Sequence, residues 1–176
     1  YLSGSCFNNG WDLIVRTRKE INNYFFNYIW YSHEHSDHFS PRDLKLIPDL
    51  RRNSTTILYQ KTKDKKLYNY CKNLGFPVLE LRNYNRFNVN NEFSFTCVQH
   101  RDSDSWGLFE ISGKKVLNLN DCFIYKTEEL EKLKKDCGEI DVLLTQIAFA
   151  NNIGKTFPFS LRPGQVNNPP SFVLKV

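Results

Sequence analysis

Four residues of metal-ligand type fall within six positions: His33, His35, Asp37 and His38, in the string Ser32-His33-Glu34-His35-Ser36-Asp37-His38-Phe39. Imidazole nitrogens and carboxylate oxygens are the donors that divalent zinc or iron takes, and a tight loop can aim several of them at one point. Alternation lets the rings of His33 and His35 point the same way. Asp37 and His38, beyond the turn, can face a second ion. A polar loop of solvated histidines is the competing reading. It leaves unexplained why three of the chain's four histidines stand here.

The fourth, His100, ends a stretch that reads as a strand, Phe93 to Gln99. A strand terminus can deliver one more imidazole to the same layer edge, although such a residue on its own would be an ordinary loop histidine. Asp121 follows another expected strand, Lys115 to Leu119, in Leu117-Asn118-Leu119-Asn120-Asp121-Cys122. A carboxylate there could bridge two ions and hold the water between them; taken alone it would be a turn aspartate. Asp102 and Asp104, next to His100, could reach the metal edge but read better as a solvated turn, and Cys122 reads as a buried structural thiol.

The elements around these residues must position them. Tyr24 to Tyr31 is aromatic and branched, the composition of a buried strand. Ser40 then suits an N-cap, Pro41 the first helical position and Asp43 the acid three residues after the cap, predicting a helix that carries Leu44, Ile47 and Leu50. The histidine cluster therefore lies between the C-terminal end of a strand and the start of a helix, where α/β layers build their sites. The free N–H groups of that helix start suit an anionic substrate. A strand over Ser54 to Tyr59, a helix over Thr62 to Leu74 closed by Gly75, and a strand over Pro77 to Leu81 follow. Beyond Phe93 to Gln99, Trp106 to Ser112 turns through Gly113-Lys114 into Lys115 to Leu119, a hairpin pattern. Thr127 to Asp136 reads as an amphipathic helix, acids first and lysines last. Ile140 to Thr145 reads as a buried strand, and an irregular proline-rich tail begins at about residue 155.

Composition bounds the class. A chain of 176 residues, 40% hydrophobic and 24% charged, fits one domain over residues 1–176. Aromatics at 15% exclude a disordered segment, and no apolar run is long enough to span a bilayer. The net charge of +5 is spread over scattered Lys and Arg rather than a stripe, so a nucleic-acid partner is not expected. Five cysteines without a CxxC pair form neither a disulfide framework nor a zinc knuckle, and reduced thiols in a cytoplasmic protein are expected. Trp11, Trp30 and Trp106 read as core residues.

In this order the residues resemble the metallo-β-lactamase superfamily, whose signature is HxHxDH after a strand, a later His, a bridging Asp and a final His. The similarity runs roughly from Tyr24 to Thr145. It implies an α/β fold of the four-layer αββα kind, with the site at one edge of two sheets. It also implies that His33, His35 and His100 hold a first metal, Asp37 and His38 a second, and Asp121 lies between them. Zinc is the ion expected first, with iron or manganese as alternatives and one or two ions bound. No histidine follows His100, so the last ligand of the superfamily has no counterpart in this chain. Phe39 stands where many members have Gly.

A narrower resemblance rests on Leu2-Ser3-Gly4-Ser5, Phe7-Asn8-Asn9-Gly10-Trp11, the histidine loop, Asp104-Ser105 and Leu119-Asn120-Asp121-Cys122. It points to the lactamase-like domains of CMP-N-acetylneuraminate hydroxylases and related nucleotide-sugar hydroxylases, where a Rieske iron–sulfur domain accompanies this fold. This chain holds no paired Cys-x-His Rieske motif. The function implied is a metal-dependent hydrolase acting on a small ester, lactone, amide or phosphodiester, with Asp37 or Asp121 orienting an activated water. The alternatives are a nucleotide-sugar- or partner-binding domain of an oxygenase system, and a nuclease. The nuclease would need a basic track and an inserted domain, and neither is visible in the sequence.

Overall fold

Side chains alternate along the strand Thr56–Gln60, and the alternation sets the layering. Ile57 and Tyr59 pack with Leu44, Ile47, Leu67, Cys71 and Phe76 on a helix-covered face. Leu58, between them, packs the other way against Leu81, Phe95 and Cys97. A period of two with both faces apolar is what a strand buried between layers requires. The computed structural model describes residues 5–6, 11–12, 26–35, 38–101 and 104–145. Asp37, Asp102 and the proline-rich tail lie outside the described residues.

Strands β1 (Ser5–Cys6) and β2 (Trp11–Asp12) form a short antiparallel pair. Strands β3 (Tyr28–Tyr31), β4 (Thr56–Gln60) and β5 (Val78–Leu81) form a parallel sheet in the order β3-β4-β5. Strands β6 (Arg86–Asn88), β7 (Phe93–His100), β8 (Asp104–Ile111), β9 (Lys114–Asn118) and β10 (Val142–Leu144) form a second sheet in the order β10-β9-β8-β7-β6. Only the β9–β10 pair in it is parallel. Helices α1 (Pro41–Leu46), α2 (Asp49–Arg52) and α3 (Lys66–Asn73) lie between strands of the first sheet, and α4 (Thr127–Cys137) follows β9.

Three apolar clusters correspond to the interfaces of four layers. The first joins α1 and α3 to the outer face of the three-stranded sheet. The second lies between the sheets and includes Trp30, Phe87 and Phe109. The third places Val98, Trp106, Leu108 and Leu117 beneath Leu133 and Cys137 of α4. This is the αββα sandwich expected of the chain. At Gly107 the two sheets come so close that an added Cβ would lie 2.7 Å from Phe95 and 2.8 Å from Trp30.

Several boundaries differ from the sequence expectation, each for a local reason. Ser40 does cap α1, accepting from the Asp43 N–H at 3.2 Å. The helix stops at Leu46 because Pro48 disfavours helical backbone at Ile47, which turns extended at φ −71° and ψ 122°. Leu50, expected on the buried face, is therefore 92% exposed on α2. Helix α3 starts at Lys66 rather than Thr62, since Lys65 is left-handed at φ 53°. The hairpin turns at Ser112-Gly113, with φ of 48° and 79°, the two positive values of a type I′ turn. The strand expected to be buried over Ile140 to Thr145 is the shorter β10. It lies at the sheet edge and pairs with β9, and Val142 and Leu144 remain exposed. Four cysteines, Cys71, Cys97, Cys122 and Cys137, are buried and free. No helix among the described residues is long and apolar enough to cross a membrane.

Candidate metal centre

The C-terminal ends of β3, β7 and β9 and the start of β8 share one edge of the sandwich. The Ser32 carbonyl, just past β3, ties that edge together. It accepts from Gln60 Nε2 at the end of β4, at 3.2 Å, and from Ser105 Oγ near the start of β8, at 2.7 Å. Both donors are buried, and they come from opposite sheets. Ser32 Oγ in turn lies 3.0 Å from Nδ1 of His33, whose side chain is fully buried.

From there the loop folds back on itself. The N–H groups of His38 and Phe39 both donate to the His35 carbonyl, at 2.9 and 2.8 Å. This turn sets the His38 ring 4.3 Å from that of His33 and places the His35 ring edge-on at 4.5 Å. Phe39 anchors the far side of the loop, packing edge-on against Tyr31 at 5.1 Å and Tyr70 at 5.7 Å.

Asp121 arrives on the turn after β9. Asn120 is left-handed at φ 46°, a conformation asparagine tolerates, and its N–H donates to Asn118 Oδ1 at 3.0 Å. The turn aims Asp121 Oδ2 to within 3.1 Å of His38 Nε2 and 3.6 Å of His33 Nε2. His33, His38 and Asp121 thus bring potential ligand atoms within 4.8 Å of one another, as do His33, His35 and Asp104.

Asp104 is the residue that the sequence reading placed in a solvated turn, and the structure corrects this. Strand β8 begins at Asp104, paired with His100 of β7, so the residue belongs to the ladder rather than to the turn. Its Oδ1 lies 3.6 Å from His33 Nδ1. The available signal was the alternation of Asp104, Trp106 and Leu108, which puts the aspartate in strand phase. His100 joins neither group of mutually close ligands. It lines a cavity of about 170 Å³ between the five-stranded sheet and α4, together with Trp106 and Tyr84. Cys122 joins neither group either and packs under α4.

These residues fit a divalent ion. His33 Nε2, His100 Nε2 and Asp104 Oδ1 are buried with no hydrogen-bond partner among the described residues. Each such atom costs about 1–3 kcal/mol unless something answers it. A mixed set of imidazoles and carboxylates suits zinc or iron. A neutral imidazole has one nitrogen with a lone pair and one N–H. With Ser32 Oγ 3.0 Å from Nδ1 to accept that N–H, the Nε2 lone pair of His33 is left facing Asp121.

The protonation of His33 follows the same logic. Burial lowers its pKa below the usual 6.5; the neighbouring His38 and His35 add to this, against the opposing pull of Asp104 and Asp121. The neutral, ligating form is therefore favoured. Below pH 6.5 the unfolded chain gains a proton that folded His33 refuses, so the stability contributed by this group falls as pH drops toward its lowered folded pKa. Thermal melts of metal-free protein should show a lower Tm at pH 5.5 than at pH 7.5; an unchanged Tm would contradict this. Burial likewise raises the Cys122 thiol. Asp104 and Asp121 raise it further and Arg101 opposes them.

No protein-family model matches the sequence, and no curated protein is similar to it by sequence. Among solved structures, CmlA, a diiron beta-hydroxylase from Streptomyces venezuelae, shares the fold at a TM-score of 0.55 and 18% identity over 66% of this chain. The chain has the metallo-β-lactamase fold. It spans 24% of the CmlA chain. Two further structures with this fold match less closely. Human tRNase Z, short form, matches at a TM-score of 0.46 and 21% identity, covering 66% of this chain and 56% of that one. Zn(2+)-bound PqqB from Methylobacterium extorquens matches at 0.43 and 9%, covering 60% and 42%.

Proposed function

We propose that this metallo-β-lactamase-fold chain is the metal-dependent catalytic domain of a hydrolase acting on an ester, lactone, amide or phosphodiester. The observation that carries the reading is the convergence of His33, His35, His38, Asp104 and Asp121 at one sheet edge, with buried ligand atoms that nothing among the described residues satisfies. His33, His38 and Asp121 would hold one ion, and His35 and Asp104 lie beside them for a second. Asp37 and His100 complete the set by resemblance. A bound divalent ion supplies Lewis acidity toward the substrate oxygen and toward an attacking water. Asp121 would orient the water and accept its proton. Ser32 Oγ, 3.0 Å from His33 Nδ1, would keep His33 in one tautomer. Gln60 and Ser105 hold the loop against both sheets, so the donors keep their places between turnovers.

One observation favours a second reading. CmlA is a diiron beta-hydroxylase, and this chain matches a quarter of it, so the domain could serve an oxygenase assembly and bind iron. Elemental analysis of the purified full-length protein, followed by a screen with nitrophenyl acetate, a nitrophenyl phosphodiester and a simple lactone, separates the two. Zinc or manganese together with hydrolysis supports the hydrolase. Iron, no hydrolysis and reductant-dependent oxygen uptake select the hydroxylase system. No metal even after reconstitution defeats both.

A further inference from the structure

Arg101 stands at the junction of the two loops that flank the centre. It follows His100 directly, and its Nη2 donates to the carbonyl of Phe123, two residues beyond Asp121, at 3.3 Å. Its guanidinium also lies over the Tyr125 ring, 5.2 Å from the centroid. Two anchors on a long side chain remove most of the rotamer freedom that a ligand would otherwise have to quench. The backbone contributes as well, since Arg101 is left-handed at φ 54°. Yet no carboxylate among the described residues pairs with this charge, in contrast to Lys65, Arg86, Lys114 and Lys132, each of which has an acidic partner. Most of its N–H fork is unspent, in the geometry that suits a carboxylate or phosphate.

Beside it the surface is apolar. Phe123 is 55% exposed and Tyr125 40% exposed, with ring centroids 6.3 Å apart. The two rings stand partly open just after a ligand-type aspartate. They offer a planar platform next to the cation.

We propose that Arg101, Phe123 and Tyr125 form the substrate subsite of this centre, taking a molecule that bears an oxyanion next to a planar or apolar group. Arg101 holds the oxyanion, and Phe123 carries the body. The proposal rests on the catalytic reading above, and its test is arranged to fail separately.

Calorimetric binding of phenyl phosphate, benzoate, inorganic phosphate and neutral phenol is measured on the full-length protein, metal-loaded and chelated, with metal content determined on the same samples. Phenyl phosphate or benzoate should bind about tenfold or more better than phenol, the worth of one charge-assisted contact. The stronger of the two identifies the oxyanion as phosphate or carboxylate. In chelated Arg101→Gln that preference collapses, and in the metal-loaded variant it shrinks while metal content is unchanged; Arg101→Lys recovers part of it. In Phe123→Ser the advantage of phenyl phosphate over inorganic phosphate shrinks. If Arg101→Gln keeps the preference, the subsite is overturned even where metal and hydrolysis are intact. If the preference is lost in Arg101→Gln but no metal is ever bound, the subsite stands and the hydrolase falls.

Discussion

Replacing His33 by alanine is expected to strip the metal from the protein and abolish turnover. His33 is the one residue common to both groups of mutually close ligand atoms, and it is fully buried. Its removal deletes the nitrogen facing Asp121 and leaves Ser32 Oγ and Asp104 without their shared partner. Losing a residue that merely orients a ligand costs about 10–100-fold in metal affinity, so losing this ligand should cost at least about a hundredfold. Thermal shift gives a readout that does not depend on activity. Zinc at about 100 times its Kd stabilises a folded protein by about 2.7 kcal/mol, which in a chain of this length raises Tm by roughly 5–10 °C. The wild type should show that rise and His33→Ala should not. Full metal stoichiometry in the variant would remove His33 from the ligand set, and with it the centre described here.

Gly107→Ala is expected to carry the largest stability cost of any single-methyl change. The backbone at Gly107 has no positive φ, so the requirement is for space alone. A Cβ would meet Phe95 Cε2 at 2.7 Å and Trp30 at 2.8 Å, and neither ring can swing clear. Phe95 is fully buried and stacks on Phe109 at 4.6 Å, while Trp30 packs edge-on against both. The sheets must separate or the aromatic trio must repack. Overpacking of this kind costs about 1–3 kcal/mol, or roughly 2–12 °C in Tm. Gly113→Ala is the contrasting variant: nothing lies within 4 Å of its Cβ, and its cost is limited to the φ of 79° in the turn. A Tm for Gly107→Ala within a degree of wild type would show that the interface between the sheets is looser than this packing implies.

The parts of this protein that could be read from sequence are those whose cause lies within a few residues. The His33, His35 and His38 spacing, the Ser40-Pro41-Asp43 helix start, the Gly75 stop and the existence of a hairpin at Gly113, though its turn lies one residue before the expected Gly113-Lys114, all follow from local sterics and short hydrogen bonds. The period-two pattern of β4 and β7 announces strands with two apolar faces, and so a layered fold. Where local reading went astray, a neighbour in sequence still explains it, as Pro48 does for the exposure of Leu50.

What only the tertiary structure decided depends on register and on contacts between distant segments. Asp104 became a site residue because β8 starts two positions earlier than the expected strand at Trp106 and so faces His100 across the ladder. The Ser32 carbonyl beside His33 is held by Ser105, 73 positions away, and His33 meets Asp121 from the far end of β9. The exposure of β10 depends on its place at the sheet edge, which its own apolar composition does not disclose. A single sequence lists candidate ligands; strand register and the packing of two sheets choose which of them meet.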